Sequence, residues 1–358
     1  ICMSAENNPV TLQGAVCPMP LKQYDKIVMG HGSGGRMTQE LIQQCFAPYL
    51  GNPALNAGND FAALQGSLQG RLIVSTDAHI VFPLVFAGGD IGRLAVCGTV
   101  NDVSMSGAIP TALTASFILE EGLPTNLLQQ IVKSMADAAN EAGVSIVAAD
   151  TKVVEKGKAD GLFITTAGFG VIPDERLIDG AQAKPGDVVL ISGTLGDHGM
   201  AVLTARGDLA FETDIHSDVA PLNHLIQQVL AVAPHLHVLR DPTRGGLATT
   251  LNEIAVQSHV NIMIDEKAIP VHPAVSSACE MLGFDPLYVA NEGKVIVIVP
   301  ENEAQAALDA LHSHVYVKEA CRIGTVQSSP AGRVLLKTQI GATRILDVMA
   351  GEMLPRIC

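Results

Sequence analysis

The sequence runs to 358 residues with a net charge of −14, and it is 48% hydrophobic yet only 4% aromatic. Acidity of that size, spread along the chain rather than massed in a tail, argues against a nucleic-acid groove or an anionic membrane surface as partner. Apolar runs fall short of the roughly 20 residues that cross a bilayer, and the length suits two domains.

Residues 1–30 read as an arm. Its opening residues lack the basic and apolar stretches of a secretory leader, and Cys17-Pro18-Met19-Pro20 blocks regular structure. A short strand is expected near residues 24–29, then Gly30-His31-Gly32-Ser33-Gly34-Gly35 and a helix over 36–46. A Pro/Gly/Asn loop over 48–59 ends at Asp60. Strands over 71–76 and 144–148 run to Asp77 and to Asp150-Thr151-Lys152. Asp90 caps a helix that contains Asn101-Asp102. Strands over 111–119 and 162–172 and an amphipathic helix over 124–142 complete a domain spanning 31–180. Lys184-Pro185-Gly186-Asp187 opens a second domain, 181–348. Its strands fall at 188–192, 260–264, 295–299, 322–326, 333–336 and 343–348. Its helices follow His198, cover 247–258 and 273–282, and span 301–314. Residues 349–358 read as a mobile tail ending in Cys358. The fold class is α+β: two α/β domains and a flexible end.

The seven cysteines, at 2, 17, 45, 97, 279, 321 and 358, show neither C-x-x-C nor zinc-finger spacing. They are expected to be reduced thiols in a cytoplasmic protein. Cys97 and Cys279 read as core residues, and Cys2 and Cys17 have no assigned role.

Three constellations could carry chemistry. The glycine loop matches G-x-G-x-x-G, but no strand follows it to supply the acid of a dinucleotide fold. Its backbone N–H groups could instead cradle phosphate, or the loop could be a plain tight turn. Asp60, Asp77, Asp102 and Asp150, placed after strands or in a turn, suit Mg²⁺ shared with substrate phosphates, with Lys152 offsetting their charge. Each could equally be a cap or turn residue. In the second half, Thr243-Arg244-Gly245-Gly246 opens a helix, a good anion site. Glu292 is a candidate general base if desolvated. His198 is a proton-transfer candidate, or it simply bonds a backbone group.

Taken together, these motifs resemble the HypE family of carbamoyl dehydratases. More distantly they resemble the aminoimidazole ribonucleotide (AIR) synthetase, selenophosphate synthetase and thiamine-phosphate kinase group. The matching stretches include His31-Gly32-Ser33-Gly34-Gly35, Ser75-Thr76-Asp77, Gly88-Gly89-Asp90-Ile91-Gly92 and Cys97-Gly98-Thr99-Val100-Asn101-Asp102. Further matches are Asp150-Thr151-Lys152, Gly196-Asp197-His198-Gly199, Thr243-Arg244-Gly245-Gly246, Asn291-Glu292-Gly293-Lys294 and the terminal Pro355-Arg356-Ile357-Cys358. Ala149 departs from the family's usual glycine.

The resemblance implies AIR synthetase-like domains, a homodimer formed through the first sheet, and ATP with Mg²⁺ near that interface. It also implies a chemistry for the tail. The partner HypF loads a carbamoyl group on Cys358. ATP-dependent dehydration turns that group into a thiocyanate, and cyanide passes to iron on a HypC–HypD complex for a nickel–iron hydrogenase. Asp60, Asp77, Asp102 and Asp150 are then metal candidates. Gly32, Ser33, Gly34, Gly35, Asn101, Lys152, Thr243 and Arg244 are nucleotide-binding candidates, and Cys358, Glu292, His198 and Lys152 are catalytic ones. Two other readings compete. A small-molecule kinase would keep the aspartates without needing Cys358. A non-enzymatic scaffold would need the tail but not the aspartates.

Overall fold

The computed structural model describes residues 25–57, 62, 69–207, 214–348 and 356–358; Cys2, Cys17 and Asp60 lie outside them. The strand expected near 24–29 does not form. Lys26 makes an isolated bridge to Pro124, and Met29–Gly32 is a 3₁₀ turn. The helix expected over 36–46 is α1 (Arg36–Leu41) followed by a π turn, Ile42–Phe46. The expected loop after it contains α2 (Ala47–Leu50) and α3 (Pro53–Asn56). Their prolines sit in the first turn, where a missing N–H costs nothing.

The first sheet contains β1 (Arg71–His79), β4 (Ile109–Glu120), β5 (Ser145–Val154) and β6 (Leu162–Ile172), in the order β1-β6-β4-β5. A small hairpin, β2 (Val85–Phe86) and β3 (Gly89–Asp90), leads into α4 (Ile91–Met105). Asp90 Oδ1 caps that helix, accepting from the N–H of Gly92 at 2.8 Å and of Arg93 at 3.0 Å. α5 (Thr125–Ala142) is the crossover that makes β4 and β5 parallel, and the other pairings are antiparallel. α4 and α5 bury Leu94, Ile131 and Met135 against Phe117, Leu119 and Ile164 of one sheet face. Strand alternation leaves the opposite face bare: Leu72 is 50% and Val74 57% exposed.

Two strands overrun their expected ends, and this repositions two aspartates. Asp77 and Asp150 lie inside β1 and β5, not after them. Register links Asp77 through Thr166 and Ala115 to Ala149, so Asp77 faces the helices and Asp150, one residue on, faces the other way.

The second sheet has the order β13-β12-β9-β11-β7-β10-β8. Its strands are β7 (Asp187–Ile191), β8 (Val238–Arg240), β9 (Asn261–Asp265), β10 (Ile296–Pro300), β11 (Cys321–Gln327), β12 (Arg333–Lys337) and β13 (Thr343–Ile345). Its helices are α6 (Asp197–Ala205), α7 (Asn223–Val232), α8 (Gly246–Gln257), α9 (Pro273–Leu282) and α10 (Glu301–His312). α8 covers one face, while α7 and α10 cover the other. β10, and β7 after Asp187, are apolar because both their faces are covered. α7 and β8 fall where the sequence reading assigned no element. Cys97 and Cys279 are fully buried, as expected.

The end of the chain does not hang away from the body. Ile357 is 6% exposed and belongs to the first domain's core, with Cys358 packed against that core.

Candidate active site

The two domains meet over α4. Asn101 closes the contact with its whole amide: Nδ2 donates to the carbonyls of Ala220 (3.1 Å) and Glu292 (3.3 Å), and Oδ1 accepts from Leu222 N–H at 2.7 Å. Arg93 adds a bidentate pair with Glu141 at 2.6 and 3.1 Å and a 3.0 Å bond to the Val219 carbonyl. The expectation that Asn101 binds nucleotide therefore meets an amide already spent on joining the domains.

Four carboxylates from four different places gather at this seam: Asp77 on β1, Asp102 on α4, Asp241 after β8, and Glu292 before β10. Their mutual repulsion is visible in the acidities of Glu292, Asp241 and Asp102. Burial, then the charges of Asp241, Asp218, Asp77 and Asp102, hold Glu292 well above the carboxylate range. Burial and then Asp102 push Asp241 up to about 7. Asp102 is raised by burial and then by Asp77, against a 2.8 Å bond from Ser75 Oγ. Gly98 makes room at the centre. A Cβ there would stand 3.0 Å from His79 Cε1, 3.7 Å from Asp77 Oδ2 and 3.9 Å from Glu292 Oε2. Glu292 is 4% exposed, and its Oε1 has no hydrogen-bond partner among the described residues.

Behind Glu292 lies a buried cation. Lys294 Nζ stands 3.2 Å from Asp218 Oδ2 and 3.5 Å from Asp197 Oδ2. Burial would lower its pKa, but the two carboxylates outweigh burial and raise it. The backbone approaches closely here, since a Cβ on Gly293 would lie 1.8 Å from the Asp218 carbonyl oxygen.

His198, fully buried at the start of α6, bonds on both sides. Nδ1 is 2.8 Å from Ser217 Oγ, and Nε2 is 2.9 Å from the Ile357 carbonyl oxygen. The end of the chain thus reaches the seam through His198, whose other partner, Ser217, directly precedes Asp218.

The remaining expected residues stand elsewhere. Thr243 and Arg244 open α8, where Arg244 is close enough to Asp102 and His79 to act on their acidities. Asp150 and Lys152 pair with each other at 2.7 Å on the bare sheet face. The aspartates are therefore not gathered on one edge: Asp150 is three strand spacings from Asp77, about 14 Å, on the opposite face. The glycine loop lies beside that pair, because a Cβ on Gly32 would come 2.9 Å from Val153 N. Sequence reasoning missed His79, Asp197, Asp218, Asp241 and Lys294 as site residues. Asp241 and Lys294 stood in glycine-rich motifs that were read for other members. Asp218 lies in a stretch without a motif.

Among the described residues, no three His, Cys, Asp or Glu side chains are close enough to hold a metal ion by themselves. The uncompensated cluster of Asp77, Asp102, Asp241 and Glu292 fits a hard cation that takes its other ligands from phosphate and water, as Mg²⁺ does.

Comparison with known proteins agrees with this architecture. Residues 58–172 match the N-terminal domain family of AIR synthase related proteins, and residues 184–337 match its C-terminal domain family. A carbamoyl dehydratase HypE from Cupriavidus necator is 55% identical over 341 residues, 95% of this chain and 97% of the relative. One from Escherichia coli K12 is 47% identical over 93% of this chain and 100% of the relative. Among solved structures, hydrogenase maturation protein HypE in complex with ATP superposes with a TM-score of 0.89. It is 49% identical and covers 92% of this chain and 99% of its own. A HypE–HypF complex matches with a TM-score of 0.75 at 51% identity, over 88% of this chain and 100% of its own.

Proposed function

Because the chain belongs to the HypE family of carbamoyl dehydratases, we propose that it dehydrates a carbamoyl group carried on the sulfur of its own Cys358. The relatives named above are carbamoyl dehydratases, and the solved neighbours include one bound to ATP and one bound to HypF. The chain is a hydrogenase-maturation enzyme that uses ATP and works with HypF. The finer reading is our proposal: Cys358 is the carrier, Mg²⁺ accompanies the nucleotide, and the thiocyanate product is handed to a HypC–HypD complex.

The observation that supports it is the docking of Ile357 on His198, a ring whose acidity Asp218 of the seam acts on, which holds the residue before Cys358 beside the domain contact. A thiocarbamate oxygen is a poor leaving group. Transfer of the ATP γ-phosphoryl group to that oxygen makes phosphate the leaving group. Loss of both nitrogen protons as phosphate departs then leaves R–S–C≡N, ADP and phosphate. Glu292, kept proton-avid by burial and by its neighbours, is the group we assign to take a proton from that nitrogen. Mg²⁺, when bound, would be held by Asp77, Asp102 and Asp241 and would neutralise phosphate charge. Arg244, close enough to act on the acidity of Asp102, and its neighbour Thr243 are the phosphate ligands we assign.

Asp150 and Lys152 fit a homodimer. They stand on the bare face that carries Leu72 and Val74, with the glycine loop against the edge strand β5 beside them, and a second copy would cover the apolar residues and carry Lys152 toward a nucleotide. The five described cysteines are free thiols. Among the described residues no helix is long and apolar enough to cross a membrane.

The test is the intact mass of the chain with HypF, carbamoyl phosphate and ATP, followed by peptide mapping. The expected record is a carbamoyl gain on Cys358 and then the loss of one water. An adduct on Cys97 or Cys321, or a stable carbamoyl adduct that never loses water with ATP present, overturns the reading.

A further inference from the structure

Three hydrogen bonds end on the backbone carbonyls of Arg356 and Ile357. The Arg356 carbonyl accepts from Arg206 Nη2 at 3.1 Å and from Phe82 N–H at 3.2 Å. The Ile357 carbonyl lies 2.9 Å from His198 Nε2. Two side chains add to the grip. Ile357 fills the first domain's core, and the Arg356 guanidinium lies 5.7 Å above the Phe82 ring while Nη1 pairs with Asp160 at 2.6 Å. Arg206 ties the arrangement together, since its Nε also donates to the Phe82 carbonyl at 3.0 Å.

These contacts settle the state of the imidazole. A carbonyl oxygen can only accept, so the His198 hydrogen sits on Nε2. Nδ1 then accepts from the Ser217 hydroxyl, whose oxygen in turn accepts from Val219 N–H at 3.1 Å. Burial lowers the pKa of this ring, against the nearby Asp218, which favours the neutral form. Both nitrogens are committed while the tail is docked, and no lone pair remains for a substrate proton.

We propose that His198 and Arg206 form a dock for the backbone of the chain's own last residues, with His198 a positioning residue rather than a proton-transfer group. The dock reads the carbonyls of Arg356 and Ile357. It also opposes release. Each bond that holds the chain end must break before a partner can draw it out, so weakening the dock speeds loading and slows dehydration. This inference rests on the proposed function for its catalytic consequence, but the docking itself does not.

Docking is tested on the isolated full chain, without ATP or partner, by the rate at which iodoacetamide alkylates Cys358, read by peptide mass. Arg206→Met, a change at the surface, should raise that rate about fivefold, the effect of one net hydrogen bond. His198→Ala should raise it about tenfold or more. His198→Gln, which keeps an N–H near the Nε2 position, should stay within about twofold of the parent. Parent rates in both Arg206→Met and His198→Ala would overturn the dock. If His198→Ala does not fold, Arg206→Met alone decides this arm.

The role of the ring is tested on carbamoyl-loaded protein in a single ATP turnover. His198→Gln should keep the parent's pH profile and lose less than about threefold in rate, whereas His198→Ala loses about tenfold. If Gln is as inactive as Ala, the ring moves protons and the proposal falls. A parent that docks its tail but never loses water would instead refute the proposed function and leave the dock standing.

Discussion

Glu292 is tied to Asp218 through its own backbone: the Glu292 N–H donates to Asp218 Oδ1 at 3.1 Å. The two carboxylates stand in opposite states. Burial alone would raise both. For Asp218, the Lys294 charge, helped by the bond from the Glu292 N–H, outweighs burial and holds it below the usual range. Glu292 has no such cation and is pushed up instead. One fixed anion thus positions the loop that presents a proton-avid one, the kind of divergence that separates acid–base roles.

Lys294 is the keystone of that arrangement. Lys294→Met leaves Asp218 and Asp197 buried without their cation, and it should destabilise the fold by roughly 3 kcal/mol. Adding Asp218→Asn should recover part of the loss, because the stranded charge is removed. Urea unfolding of the single and double variants measures both. Equal stability of Lys294→Met and the parent would show that the buried pair carries no weight.

Acidity of the cluster sets a pH signature. The unfolded Asp241 carboxyl ionises near 3.8, whereas the folded one holds its proton up to about 7. Between those values the folded state binds the extra proton. The parent's stability therefore falls as pH rises from 3.8 to about 7. Asp241→Asn removes this slope. In magnesium-free buffer it should be roughly 2 kcal/mol more stable than the parent at pH 8, with the gap narrowing toward pH 4. It should also lose ATP turnover, the usual cost of relieving a strained site. A variant no more stable than the parent at pH 8 would contradict the crowding of charge seen here.

Loading and dehydration should separate by mutation. Asp102→Asn and Lys152→Ala are expected to fold and to accept a carbamoyl group on Cys358 from HypF, yet to lose at least about a hundredfold in ATP-dependent water loss. Intact mass spectrometry reads both steps. Unimpaired water loss in both variants would remove these residues from the nucleotide site.

The bare sheet face should be an interface. Val74→Glu places a charge among residues that a second copy would cover. It should convert the dimer to a monomer by light scattering and lower dehydration with it, because Lys152 shares that face. A parent that is monomeric at micromolar concentration would refute the homodimer.

Much of this protein was legible in one dimension. The apolar alternation of β4 and β6 and the helical spacing of Leu128, Ile131, Val132 and Met135 on α5 are local signals, set by side-chain geometry within a few residues. So is the Asp90 cap. Glu292 and Cys358 were singled out because one sits beside a glycine and the other at the chain end, and Asp102 because it joined Asp60, Asp77 and Asp150 as acids placed after strands or in a turn.

What the sequence could not decide was which of these residues meet. Asp77 and Asp150 looked equivalent as acids after apolar runs. Their strands run two and four residues farther, to His79 and Val154, and strand alternation then sends the two side chains to opposite faces. Asp218 carries no local signal, because its partner Lys294 is 76 positions away in the sequence and the contact exists only once the second domain has folded. The dock is of the same kind. A histidine after glycine and aspartate says nothing of a carbonyl 159 positions away in sequence; only the packing of Ile357 into the first domain brings them within hydrogen-bond reach.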